Sequence, residues 1–85
     1  MRIIQIIDSL EPGGAERMAV HYANALAARI EFSGLVVTRK EGALDSQIDA
    51  KVSYLYLNKK KTVDFKALFV FRNYVRQHNV TVVHA

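Results

Sequence analysis

The sequence predicts an α/β fold built on a doubly wound, all-parallel sheet, and three observations predict it. Ile3, Ile4, Ile6 and Ile7 form a near-continuous β-branched run with apolar residues on both parities. A strand like that is buried on both faces, as in a central parallel strand. Strand and helix periodicities then alternate in the order β-α-β-β-α-β, which is the pattern of parallel crossovers. Between the first strand and the first helix stands a loop, Asp8-Ser9-Leu10-Glu11-Pro12-Gly13-Gly14, at the kind of junction where open parallel sheets bind ligands.

Each element has its own signal. From Ala15 to about Ile30 the period becomes helical. Ala15, Met18, Ala19, Tyr22, Leu26 and Ile30 fall on one stripe, expected to face the sheet, with Arg17, His21, Asn24 and Ala28 opposite. Glu16 in the first turn and Arg29 in the last suit the helix dipole. Leu35, Val36, Val37 and Thr38 are the core of a second strand, and a short helical turn is expected near Leu44 to Ile48. Val52 to Leu57 reads as a third strand, since both of its alternating sets are largely apolar. Asn58 to Thr62 is a polar, basic turn. Asp64 is placed to cap a helix from Phe65 to about His78. Leu68, Phe71 and Val75 are its expected core stripe, flanked by Phe65, Ala67 and Tyr74, with Lys66, Asn73 and Gln77 wet. Val80 to Val83 is the fourth strand. Right-handed crossovers put the first strand between the second and the fourth. The loop after strand one and the end of strand four then flank the topological switch point.

Composition narrows the function classes. The chain has 85 residues, about half of them apolar, enough for one domain with a core. There is no Cys, so disulfides, thiolate zinc sites and cysteine nucleophiles are excluded. The apolar run after Met1 is too short for a signal peptide, and no stretch approaches a membrane-spanning helix. A cytoplasmic protein is expected, with peripheral contact at the inner membrane face. The net charge of +4, gathered partly at Lys59, Lys60 and Lys61, fits phosphate-bearing ligands, anionic lipid or nucleic acid, or else a solvated turn.

The chemistry rests on Pro12-Gly13-Gly14-Ala15-Glu16-Arg17. Two glycines at a helix start remove Cβ atoms where a ligand can approach the backbone. The free first-turn N–H groups and the dipole favour an anion, a diphosphate being the natural one. The spacing is neither Gly-x-Gly-x-x-Gly nor Gly-x4-Gly-Lys-Ser/Thr, so a dinucleotide fingerprint and a nucleotide-hydrolysing P-loop are both disfavoured. On spacing alone, a Pro-Gly turn that merely feeds the helix stays open beside the ligand reading.

The segment "IIQIIDSLEPGGAERMAVHYANALA" resembles the opening of the family 4 retaining glycosyltransferases, of the GT-B fold. "SGLVVTRKEGALDSQI" resembles their second strand and following loop, and "VSYLYLNKKK" and "DFKALFVFRNYVRQHNVTVVHA" their third strand, helix and fourth strand. The likeness runs along the whole chain, and its most specific part is Gly13-Gly14-Ala15-Glu16-Arg17. Where relatives turn on a Gly after the helix, this chain has Arg29-Ile30-Glu31. The resemblance implies that residues 1–85 are an incomplete, Rossmann-like N-terminal domain on the acceptor side of a two-domain cleft. The parent enzyme would transfer a sugar from a nucleotide-sugar donor to an acceptor glycan or lipid, with no metal or other cofactor. Gly13 and Gly14 would contact the donor diphosphate and stabilise its charge as it leaves. The acidic donor-binding residues of the C-terminal domain have no counterpart here, so catalytic residues are not assigned and the piece alone is expected to be inactive.

Other residues carry two readings each. His84, at the expected end of strand four, is either a cleft contact or a structural hydrogen-bonding group. Relatives often have a His there, followed two residues on by a second, at a position past Ala85. Asp8 touches a ligand or caps its own loop, and Ser9 belongs to the same candidate set. His21 is expected in solvent. A non-enzymatic α/β module that binds phosphate or protein is the rival class. Its receiver-like version would want an Asp ending strand three, where Asn58-Lys59 stands. A basic nucleic-acid or membrane binder using Lys59, Lys60, Lys61 and Lys66 is a third reading; nucleic acid is not the expected partner. Strand four leaves an apolar sheet edge, and such edges invite pairing between chains, so a homo-oligomer is expected.

Overall fold

The structure is a computed structural model covering residues 1–85. Its elements are β1 (Arg2–Ser9), α1 (Gly14–Ala27), β2 (Phe32–Lys40), a 3-10 turn (Ala43–Gln47), β3 (Ser53–Tyr56), α2 (Phe65–Gln77) and β4 (Val82–His84). The four strands form one sheet in the order β3-β2-β1-β4, every pairing parallel. The β-α-β-β-α-β reading and the central place of the first strand therefore hold. The connection between β2 and β3 is the short 3-10 turn rather than a full helix.

The two faces of the sheet are covered unequally. On one face, Val20 and Ala23 of α1 pack with Leu35 and Val37 of β2, and Leu10, Leu44 and Val52 close the same cluster. The Ser33 hydroxyl donates to the Ala23 carbonyl oxygen at 2.8 Å, pinning α1 to β2. Asn24 ties α1 to the segment after the 3-10 turn, donating to Gln47 O and accepting from the Asp49 N–H. On the other face α2 buries only Ala67, near Ile6 and Thr38, and its Tyr74 reaches Gly34 and Ile4. A Cβ on Gly34 would come within 2.8 Å of both Ile4 Cγ2 and the Tyr74 hydroxyl, so this glycine is a packing requirement. The Tyr74 hydroxyl donates to Ser53 Oγ at 2.7 Å, and burial raises its pKa. At the amino-terminal end of the sheet Phe32 stacks on His78, with ring centroids 4.8 Å apart, and Arg2 lies over Phe32.

Both helix stripes are rotated from those the sequence predicts. Met18 and Tyr22 are 73% and 52% exposed, while Val20 and Ala23 are buried. Small residues let α1 approach the β1–β2 seam closely, and the bulkier Met18 and Tyr22 overhang its flank. In α2, Leu68 and Phe65 are exposed, and the inward side is Ala67 with the half-buried Phe71, Tyr74 and Val75. Boundaries shift as well. The first helix stops at Ala27, so Arg29 lies beyond its last turn. It ends without a left-handed residue, on N–H groups of Arg29 and Ile30 that share the Leu26 carbonyl. The fourth strand is Val82–His84 rather than residues 80–83. Val80 instead closes the end of α2: Asn79 is left-handed (φ 52°), its N–H donates to Arg76 O, and the Val80 N–H donates to Val75 O. That pair of bonds is the Schellman arrangement.

Asp64 caps α2 as expected, accepting from the Ala67 N–H at 3.1 Å and from the Lys60 N–H at 3.2 Å. The first of these bonds is the main cause of its lowered pKa. No helix is long and apolar enough to cross a membrane.

Candidate functional site

The loop from β1 to α1 is held from behind. Leu10 is fully buried, its N–H donates to Lys40 O, and its carbonyl accepts from the Leu44 N–H. Gly42 crosses it so closely that a Cβ there would stand 2.6 Å from the Leu10 carbonyl. With Leu10 anchored, the chain emerges at Pro12 and enters α1 at Gly14.

The amino terminus of α1 carries no side-chain cap. The first bond into the helix runs from the Arg17 N–H to Gly13 O, so the N–H groups of Gly14, Ala15 and Glu16 have no intrahelical acceptor. Neither glycine is required by its backbone: Gly13 is extended (φ −139°, ψ 171°) and no glycine has a positive φ. A Cβ on Gly14 would meet nothing within 4 Å, whereas one on Gly13 would meet only the movable Glu16 carboxylate, at 2.6 Å. That carboxylate folds back over Gly13, on the side of the helix where an anion would sit.

Beside this terminus a concave site of about 640 Å³ runs along the exposed flank of α1. Gly14, Ala15, Met18 and Tyr22 form one wall, β1 the floor, and His84 and Ala85 the far side. The lining is mostly apolar. Polar groups enter it chiefly from Gln5 and His84. The Gln5 side chain is buried at 3% exposure. One end of its amide meets His84 Nδ1 at 2.6 Å, and the other end, Nε2, is buried with no partner. The Tyr22 ring meets His84 edge-on, with centroids 6.0 Å apart. The His84 ring is thus fixed by a hydrogen bond and an aromatic edge. No three His, Asp or Glu side chains gather into a metal-holding group.

The structure brings Gly14 and His84 to one cavity, with Gly13 adjoining it, and turns Asp8 and Ser9 elsewhere. The β1–β2 register slips between Ile7 and Ser9, a bulge of the kind that re-aims side chains. Asp8 there accepts from the Thr38 hydroxyl at 2.5 Å, with Arg39 Nε 3.9 Å away. Ser9 Oγ accepts from the Glu11 N–H within its own loop. Sequence reasoning passes over Gln5, although a lone polar residue inside a doubly buried strand has to find a partner. It also assigns Met18 and Tyr22 to the core, although they wall the cavity.

A smaller apolar cavity of about 270 Å³ lies on the opposite face, between the amino-terminal half of α2 and the carboxyl ends of β1 and β2. Leu57, Leu68 and Phe71 line it, and Lys59 and Asp64 are among its polar residues.

Fold and site together define a parallel α/β unit with an uncapped, glycine-bearing helix terminus opening on an apolar crevice at the switch point. No family model matches the chain, and no curated protein or solved structure matches it either.

Proposed function

We propose that this chain is the acceptor-side part of a nucleotide-sugar-dependent glycosyltransferase, and that the amino terminus of α1 receives the donor diphosphate. The observation that carries the reading is the pair Gly13-Gly14. Neither residue needs to be glycine for its backbone angles, and Gly14 has nothing around the place where a side chain would stand. A glycine that its own fold does not demand is explained by something that approaches from outside. The uncapped N–H groups behind it offer what a diphosphate accepts. They sit at the carboxyl edge of a parallel sheet, beside the reversal of strand order where such sheets bind ligands. The resemblance of the opening segment to the family 4 glycosyltransferases supplies the reaction class.

In this role the terminus stabilises charge that grows on the diphosphate as the sugar–oxygen bond breaks. The crevice beside it, apolar apart from Gln5 and His84, holds the acceptor, and His84 is oriented toward it by Gln5. The carried-over sites are Gly13 and Gly14 for the diphosphate and His84 for the cleft. Asp8 and Ser9 act on this reading through the shape of the loop.

Amide shifts followed while uridine, guanosine and adenosine diphosphates are titrated test the proposal. The expected result is saturable movement at Gly13, Gly14 and Ala15 with at least one of the three. Movement confined to the lysine loop at residues 59–61, or none anywhere, would remove the reading.

A further inference from the structure

We propose that the outward face of α2, with the lysine loop before it, docks on an anionic lipid bilayer. The proposal is independent of the diphosphate reading, because it concerns the opposite face of the sheet. Lys59, Lys60, Lys61, Lys66, Arg72 and Arg76 are six of the twelve basic residues, and Asp64 alone of the eight acidic ones falls among them. The rest of the chain carries six basic and seven acidic residues, so the whole positive excess sits in this one segment. The single carboxylate is engaged by the backbone as the helix cap.

Large apolar side chains stand out between these charges. Phe65, Phe69, Leu68 and Val63 are 73%, 65%, 60% and 66% exposed. Phe65, Phe69, Arg72 and Arg76 recur at helical spacing on the stripe opposite Ala67 and Tyr74, which face the sheet. Single exposed apolar residues are ordinary. Phe65 and Phe69 on the outward stripe of a helix without carboxylates, with Leu68 and Val63 exposed beside it at the mouth of the smaller cavity and cations around them, have the composition of a face that lies in the headgroup region. The aliphatic stems of Arg72 and Arg76 suit that position, since their charged ends reach back to phosphate.

The charge also selects among occupants. A second copy would bring two strongly positive faces together. A nucleic acid would neutralise the lysines yet leave Val63 and Leu68 in water. An anionic bilayer takes both the charges and the apolar side chains.

Co-sedimentation of the full chain with vesicles tests this, comparing one-third phosphatidylglycerol in phosphatidylcholine with phosphatidylcholine alone. Binding is expected only with the anionic vesicles. The Phe65→Gln/Phe69→Gln variant should bind about 10-fold more weakly with all its charge kept. The Lys59→Gln/Lys60→Gln/Lys61→Gln variant should lose about 100-fold, from the usual contribution of each cation near an anionic surface. Phe65, Phe69, Lys60 and Lys61 are exposed and Lys59 is half-buried at the mouth of the smaller cavity, and circular dichroism checks that the fold is kept. A reporter needs no loss of function: the chain has no Trp, so Phe69→Trp gives a lone tryptophan whose emission, excited selectively over the tyrosines, should shift to the blue with anionic vesicles. Absence of sedimentation, no blue shift, or anionic binding that ignores the Phe65 and Phe69 changes overturns the proposal. So does displacement by an RNA homopolymer that binds the Phe variant and the parent chain equally well.

Discussion

Replacing Gly14 by Ala separates a glycine kept for a ligand from one kept for the fold. The added methyl would meet nothing within 4 Å, and no positive φ stands in its way. Stability should therefore rise, because Ala loses less chain entropy on folding than Gly, by about 0.5 kcal/mol. For a domain of this size that is an increase in Tm of about 3 °C. Binding should move the other way. A phosphate oxygen hydrogen-bonded to a first-turn N–H lies about 2.9 Å from the nitrogen, close to the shell that the new Cβ would occupy. Losing one charge-assisted bond of about 1.5–3 kcal/mol weakens nucleoside diphosphate binding by about 10- to 100-fold. Thermal unfolding followed by circular dichroism and calorimetric titration read the two effects on one sample. A raised Tm with unchanged affinity would show that the empty space beside Gly14 serves no ligand. A Tm lowered by several degrees would show that the fold needs the glycine after all.

Other perturbations follow from the same geometry. Glu16→Gln removes a negative charge that lies over Gly13; it should tighten diphosphate binding several-fold while costing about 0.5 kcal/mol of stability from the lost dipole interaction, read by the same titration and melt. Gly34→Ala puts a methyl 2.8 Å from Ile4 and Tyr74 and should cost about 2 kcal/mol by overpacking, lowering Tm by about 10 °C; an unchanged Tm would mean that α2 is not seated there. Asp64 has a folded pKa below its unfolded one, so the unfolded chain binds the extra proton. Its contribution is whole above the unfolded value of 3.8 and is lost as pH falls through the folded one. α2 should accordingly fray on acidification below that point, and Asp64→Asn should flatten this limb of the pH–melting curve. The edge strand β4 pairs only with β1, and Val82 and Val83 are exposed. Light scattering should show self-association that grows with concentration; a strictly monomeric mass at high concentration would count against pairing through that edge.

The fold was legible because period and punctuation agreed. The β-branched run of β1 marked the central strand, although Ile3, Ile6 and Ile7 are only partly buried, and Asp64 sits where a cap is needed, with its carboxylate accepting from the Ala67 N–H. The helix faces were less legible. Hydrophobicity marked Met18, Tyr22 and Leu68 as core, but the sheet accepted Val20, Ala23 and Ala67 instead. Close approach to a sheet selects small side chains, and periodicity weighs large ones. The same bias hid the crevice, whose wall is made of residues that look like core. Asp8 was ambiguous for another reason: its direction depends on a register slip between Ile7 and Ser9, which no local pattern announces.

Gln5 is where the two levels meet. A polar side chain in the middle of the central strand, with one end of its amide on His84 and the other without a partner, loses the hydrogen bonds it had in water. Replacing it by Leu, of similar volume, removes that cost while freeing the His84 ring. If the amide only fills space, Gln5→Leu should raise Tm and leave ligand binding alone. If it positions His84 for the crevice, the same change should raise Tm and weaken whatever binds beside Gly14, with Gln5→Glu retaining an acceptor for the ring. The sign of the stability change is the same in both cases, so the binding measurement decides between them.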